Sequence, residues 1–280
     1  MLVKKIDEVR KLVKEWKAQG LSIGYVPTMG ALHEGHESLI KRAVKENDKV
    51  IVSVFVNPTQ FGPNEDYDSY PRNIEKDLEL CEKAGAAAVF NPEPSEMYFD
   101  NRSTQVSVSG LTDVLCGARR PGHFNGVCLV ITKFFNIVKP DRAYFGQKDA
   151  QQVAVLKRMV RDLSFDVEIV PCPIIREEDG LAKSSRNTYL SVEERNAATI
   201  LNKSLTLAKE KIQAGERDSE VIIKLIQEVI NSEKLARIDY IEVVDSLSME
   251  KVERIEKSVL VAIAVFIGKT RLIDNFTYEL

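Results

Sequence analysis

Val26-Pro27-Thr28-Met29-Gly30-Ala31-Leu32-His33-Glu34-Gly35-His36 follows the apolar run 22–26 and leads into residues 37–47, where Leu39, Ile40, Ala43 and Val44 share one helical face. The order is strand, glycine-bearing turn, helix. Helix N-termini carry unpaired N–H groups and a partial positive charge, which makes them anion sites. With the helix starting near His33, His33 and His36 project from one side. Imidazoles there can donate to triphosphate oxygens and stabilise charge developing on a leaving pyrophosphate. The chain has 3 histidines in 280 residues, and two of them fall in this segment.

Other readings of the segment fit less well. No third histidine or nearby cysteine completes a zinc set, and Glu34 alone adds little, so no metal site is expected. Gly30 and Gly35 have the spacing of a phosphate-binding P-loop, but His36 and Glu37 stand where its lysine and hydroxyl residue belong. No G-x-G-x-x-G follows a strand, which argues against a dinucleotide fingerprint.

A composition that is 44% hydrophobic and 29% charged describes an ordinary folded chain, long enough for one large domain or two moderate ones. The net charge of −3 favours neither nucleic acid nor an anionic membrane as principal partner. Cys81, Cys116, Cys128 and Cys172 are widely spaced, which suits reduced thiols in the cytoplasm better than a disulfide framework. The N-terminal residues run into charged helix without a signal-peptide core, and the longest apolar run, 259–268, is about half a membrane span.

Ile6, Val9, Leu12, Val13 and Trp16 recur at helical spacing, with Gly20 as a stop. Strands are expected at 22–26, 50–56, 86–90, 105–108, 142–145 and 167–170, and helices at 37–47, 73–84, 125–138 and 150–161. The loops 57–72 and 91–102 lie between them. This alternation implies an α/β fold: a doubly wound, mainly parallel, Rossmann-like sheet with right-handed crossovers. Beyond residue 176 the pattern changes to a polar turn, a mobile-looking stretch to 187, helices at 192–215 and 219–231, and strands at 238–243 and 259–266. The expected organisation is therefore a nucleotide-binding domain over 1–176 and a smaller α+β C-terminal lid domain over 177–280.

Three further clusters carry chemistry. Lys183-Ser184-Ser185-Arg186-Asn187 sits where the expected domains meet; its cations and hydroxyls can hold phosphate oxygens, although such a run also reads as a solvated turn. Gly146-Gln147-Lys148-Asp149 ends a strand and opens a helix, where open α/β sheets bind ligands. Lys148 can neutralise phosphate charge there. Asp149 can accept from ribose or simply cap the helix, and Gln152 lies one turn beyond Lys148. Asn57-Pro58-Thr59-Gln60-Phe61 also leaves a strand. Its amides suit a small hydroxylated acid, or the Asn-Pro pair merely marks a turn.

These motifs, with Tyr70-Pro71-Arg72, Arg120-Pro121-Gly122-His123-Phe124 and Arg271-Leu272-Ile273-Asp274-Asn275, resemble the pantothenate synthetases, the pantoate–β-alanine ligases of the class I nucleotidyltransferase superfamily. The resemblance runs nearly end to end. The histidine segment looks like that superfamily's HIGH signature, and residues 183–186 like its KMSKS loop. The resemblance implies condensation of pantoate with β-alanine at the expense of ATP, through pantoyl adenylate, with release of pyrophosphate and AMP. It implies ATP contacts from Met29, Gly30, His33, His36, Gly146, Gln147, Lys148, Asp149, Lys183, Ser184, Ser185 and Arg186, with the backbone of Ile175 beside the adenine. His36, His33, Lys148 and Arg186 would be catalytic, and Gln60, Gln152 and Asn57 would hold pantoate. Magnesium would arrive with ATP, held chiefly by its phosphates. Asp77 matches a carboxylate linked to magnesium in some relatives, but Lys76 precedes it here in place of an acid. A homodimer is implied by the family alone. Two alternatives stand beside this reading: another HIGH-motif nucleotidyltransferase, which the Gln60/Gln152 pair argues against, and a regulatory nucleotide-binding protein without turnover.

Overall fold

The computed structural model describes residues 1–63 and 65–280; Asn64, inside the expected loop 57–72, lies outside the described residues. In chain order the first part runs β1 (Leu2–Val3), α1 (Ile6–Ala18), β2 (Ile23–Thr28), α2 (Glu34–Glu46), β3 (Lys49–Val54), α3 (Ile74–Lys83), β4 (Ala88–Phe90), α4 (Pro94–Met97), α5 (Leu115–Arg119), α6 (His123–Val138), β5 (Arg142–Gly146), α7 (Ala150–Asp162) and β6 (Glu168–Cys172). The remainder runs α8 (Val192–Ala197), α9 (Ile200–Gln213), α10 (Ser219–Asn231), β7 (Ala236–Asp245), β8 (Val259–Ile267) and β9 (Thr270–Tyr278).

The chain divides into two compact units: Met1–Val108 with Arg120–Gln147 and Val155–Pro173, and Ser109–Arg119 with Lys148–Ala154 and Ile174–Leu280. A single cut near residue 177 differs from this division chiefly over two inserted segments. Gln151 shows why they group as they do: its buried Nε2 donates to Leu111 O and Val114 O, each at 2.8 Å, while its Oε1 accepts from Cys116 N.

The first unit holds a parallel six-stranded sheet in the order β1-β4-β3-β2-β5-β6. Strands buried on both faces need continuous apolar runs, and Val50, Ile51, Val52 and Val54 supply one in β3. Val26, Val50, Val52 and Val54 pack on Leu39, Ile40 and Ala43 of α2 and on Cys81 and Ala84 of α3 and its end. Tyr25 points to the opposite face, against Phe134 and Phe135 of α6. Helices therefore cover both faces, and the chain reverses its direction of travel across the sheet between β2 and β5. A crevice opens at such a switch point, outside the carboxyl ends of the strands.

In the second unit β7, β8 and β9 form an antiparallel meander. Leu201, Leu205, Ala208 and Ile212 of α9 and Ile222, Ile226 and Ile230 of α10 bury the apolar face of that sheet.

Four local expectations are corrected. Residues 105–108 form no strand. The helix expected over 192–215 breaks at residues 198–199 into α8 and α9. β9 appears where no strand is expected, and the short α4 and α5 form within stretches that lack a clear apolar period. No helix among the described residues is long and apolar enough to cross a membrane.

Candidate active site

β2 ends at Thr28, whose hydroxyl donates to Ser53 O at 2.7 Å and accepts from Gly30 N. The chain then turns sharply, with Gly30 at φ 89° and Ala31 at φ 50°. A left-handed alanine is strained unless its surroundings hold it. Asp77 does so: Ala31 N donates to Oδ2 at 3.0 Å and Leu32 N to Oδ1 at 2.7 Å. Burial raises the Asp77 carboxyl above its ordinary value, against the opposite pull of those two backbone donors. Asp77→Ala should cost on the order of 1–3 kcal/mol in chemical denaturation, since two backbone donors in a strained turn lose a charged acceptor. Unchanged stability would show that the turn holds itself.

α2 starts immediately after this turn, with His33 as its N-cap. Gly35 N donates to His33 Nδ1 at 3.1 Å, and His33 N donates to His36 Nδ1 at 3.3 Å. The two imidazoles thus replace the hydroxyl and carboxylate of an ordinary capping box. Because both Nδ1 atoms accept, the proton of each neutral ring resides on Nε2. The rings lie 4.2 Å apart between centroids, so the Nε2 donors of both side chains belong to one patch at a positive helix end.

β3 leads into Asn57 and the 3₁₀ turn Pro58–Gln60. Asn57 is buried. Its Nδ2 donates to Gln60 Oε1 at 3.0 Å and to Gly126 O at 3.1 Å, and its Oδ1 accepts from Thr59 N, the Thr59 hydroxyl and the Tyr98 hydroxyl. Both amide hydrogens are engaged inside the protein, so Asn57 organises Gln60. Gln60 Nε2 in turn donates to Met29 Sδ at 2.9 Å. This contact brings the Asn57/Gln60 cluster against the histidine segment, although 31 residues separate them in sequence.

Gly146 ends β5 and Gln147 follows it in the first unit, while Lys148, Asp149 and Gln152 belong to the second unit. Lys148 Nζ stands 3.8 Å from Asp149 Oδ2, and Lys148 O accepts from Asn275 Nδ2 at 2.8 Å. Asp274, next on β9, is buried and takes Arg176 in a two-pronged pair at 2.7 and 3.0 Å. Arg176 begins a hairpin in which Lys183 N donates to Ile175 O at 2.9 Å and Lys183 Nζ pairs with Glu177 at 2.7 Å. Ser184 then caps the 3₁₀ turn Ser185–Tyr189 by accepting from Arg186 N. In this unit β9 therefore links the Lys148 segment to the Ile175 and Lys183 segments. Residues 183–186, expected as a polar loop, form a hairpin end and a capped turn.

Sequence reasoning assigned no function to Asp274, Asn275, Arg176 or Gln151, and treated Asp77 only as a magnesium candidate. The signal for the first pair was present in two adjacent polar residues inside an apolar C-terminal stretch. Among the described residues no three His, Cys, Asp or Glu side chains cluster to hold a metal ion. Both Asp77 oxygens accept from backbone donors of the turn. Burial pushes the Cys81 and Cys128 thiols up to about 12, which removes both as nucleophiles at neutral pH.

The family model for pantoate-β-alanine ligase matches residues 1–277. The chain belongs to the pantoate–β-alanine ligase family. It is 69% identical over 280 residues to the pantothenate synthetase of Enterococcus faecalis, covering 100% of this chain and 99% of the relative. It is 67% identical to that of Clostridioides difficile, with the same coverage. The crystal structure of pantothenate synthetase from Thermus thermophilus superimposes with a TM-score of 0.94 at 42% identity, covering 98% of both chains. The pantoate–β-alanine ligase of Francisella tularensis, solved with a β,γ ATP ligand and β-alanine, gives 0.80 at 35% identity over 99% of this chain and 97% of that one. The chain is thus an enzyme of the ligase class.

Proposed function

We propose that this chain joins pantoate to β-alanine at the expense of ATP in two steps, with the residue roles that follow. The observation that carries the assignment of roles is the Gln60–Met29 contact, which sets an amide suited to a hydroxy acid beside a turn suited to a triphosphate. A carboxylate is a poor acyl donor. The pantoate carboxylate therefore attacks the α-phosphorus of ATP, the bond to the β-phosphate oxygen breaks, and pyrophosphate leaves with that electron pair. The amine of β-alanine then attacks the pantoyl carbonyl, AMP departs, and the ammonium proton passes to solvent. Alignment and charge neutralisation suffice for both steps, and no protein nucleophile is needed.

In this reading Met29, Gly30, His33 and His36 receive the phosphates, and His36 Nε2–H donates to oxygens that gain charge as pyrophosphate leaves. Lys148 and Arg186 neutralise the phosphoryl group. Gly146, Gln147, Asp149, Lys183, Ser184 and Ser185 complete the nucleotide contacts beside the Ile175 backbone. Gln60 and Gln152 hold pantoate, and Asn57 acts by fixing Gln60. Magnesium accompanies ATP, the C-terminal domain over 177–280 serves as a lid, and the enzyme works in the cytoplasm as a homodimer, as its family resemblance and unpaired cysteines favour.

With pantoate present and β-alanine absent, labelled pyrophosphate should exchange into ATP, and adding β-alanine should release AMP with pantothenate. Complete absence of exchange in protein that still makes pantothenate would sink the two-step route. A nucleotide-linked final product would point instead to a nucleotidyltransferase.

A further inference from the structure

Arg120-Pro121-Gly122-His123-Phe124 is the motif to which the chemistry above gives no task. We infer that His123, in one neutral tautomer, is a positioning residue for Gln60 and so for pantoate; the inference rests on the role proposed for Gln60. Gly122 adopts φ 82° and turns the chain into α6, whose first residue is His123. His123 Nδ1 lies 2.8 Å from Gln60 O. A carbonyl can only accept, so Nδ1 carries the proton. Nε2 of the neutral ring is then an acceptor, and Arg120 Nη1, which can only donate, lies 3.0 Å from it. Two independent contacts thus require the same tautomer.

Glu65 sets the direction of the guanidinium. Arg120 Nε donates to Glu65 Oε1 at 2.7 Å and Arg120 Nη2 to Oε2 at 2.6 Å, a two-pronged pair that leaves Nη1 aimed at the imidazole. Burial raises the Glu65 carboxyl, but the hydrogen bonds and charge of Arg120 outweigh it and hold the group below its ordinary value. Glu65 therefore stays ionised, and the pair stays formed, throughout the range in which imidazoles titrate. At the other end Gln60 is gripped twice: its carbonyl by His123 and its side chain between Asn57 and Met29.

Protonating His123 turns Nε2 from acceptor into donor. Arg120 Nη1 would then face an N–H at 3.0 Å, with two cations side by side. Arg120 opposes protonation and Glu65 favours it; the ring of Phe124, 5.0 Å away, and the 3₁₀ turn Pro58–Gln60 bring no charge. Nδ1–H still donates to Gln60 O from the charged ring, but repulsion between the two cations pushes the imidazole out of its place between Arg120 and the 3₁₀ turn, so as pH falls the strut on Gln60 loosens while the Asn57 and Met29 contacts remain. The consequence is selective: pantoate binding weakens, and the ATP and β-alanine constants hold. His33 and His36 sit instead at the proposed phosphate site.

Steady-state kinetics of the intact enzyme between about pH 8 and about pH 5.5 test this. The pantoate KM should rise roughly five- to tenfold on the acid side, as expected for one lost ordering hydrogen bond, with the KM values of ATP and β-alanine nearly flat. His123→Gln keeps one donor and one acceptor and cannot titrate, so its pantoate KM should stay level across the range. His123→Phe should raise that KM at every pH. A flat pantoate KM in active wild-type enzyme, or an acid-side rise that persists in His123→Gln, overturns the role of His123 and leaves the proposed reaction intact. Failure to form AMP from pantoate and ATP at pH 8 would instead overturn the functional reading and this inference with it.

Discussion

His36→Ala should slow pantoyl adenylate formation by a factor on the order of 10²–10³, the usual effect of removing one preorganised donor from a charged transition state. Loss of the fold will not account for it. The side chain's duty at the helix start is to accept from His33 N at 3.3 Å, and deleting a cap costs about 0.5–2 kcal/mol, against a total stability of about 5–15 kcal/mol. Lys148→Ala should show a loss of similar size, because the charge it brings is needed when the triphosphate rearranges and water cannot reorganise as fast as a fixed ammonium. Pyrophosphate exchange measured beside thermal unfolding separates the effects. Near-normal exchange in both variants would show that the phosphate site is misassigned.

The second large effect comes from Gly126→Ala. On propensity alone the change should stabilise α6, since alanine exceeds glycine by about 1 kcal/mol in a helix interior. Packing reverses the sign. A Cβ at residue 126 would stand 2.2 Å from Thr59 O, 2.4 Å from Thr59 C and 2.6 Å from Gln60 Cα, all of them backbone atoms that no rotamer change can move. Either α6 or the 3₁₀ turn must shift, and the overpacking should cost about 1–3 kcal/mol or more. The shift also pulls Gly126 O from Asn57 Nδ2, loosening Gln60. We expect a lowered melting temperature together with a pantoate KM raised at all pH values, while the ATP KM changes little. A variant as stable as the parent would mean that the helix and the turn are not in the close contact described.

Much of the fold was legible in the sequence. Val50, Ile51 and Val52 announce a strand covered on both faces, and Leu39, Ile40 and Ala43 recur at helical spacing because each element must bury its own apolar surface. Elements that depend on partners were not legible. β9 mixes polar Arg271, Asp274, Asn275 and Thr277 with apolar residues and becomes a strand because β8 offers it an edge, whereas residues 105–108, of strand-like composition, form no strand. Ala198 and Thr199 interrupt α8 and α9 without a proline or glycine to mark the break.

For the site, local sequence determined the strand–turn–helix that places His33 and His36 at a helix start, since caps, glycines and apolar period act over a few residues. It also determined the family, through motifs spread along the whole chain. Only the tertiary structure decided that Asp77 holds the strained turn from 45 residues away, that Asn57 spends its amide hydrogens on Gln60 and Gly126, and that Asp274 answers Arg176 across 98 residues. The physical reason is that a hydrogen-bond donor or a charge constrains its partner's chemistry and leaves its sequence position open. A buried carboxylate must find donors, but which backbone amides or guanidinium it finds is settled when strands and helices pack and bring distant residues within about 3 Å.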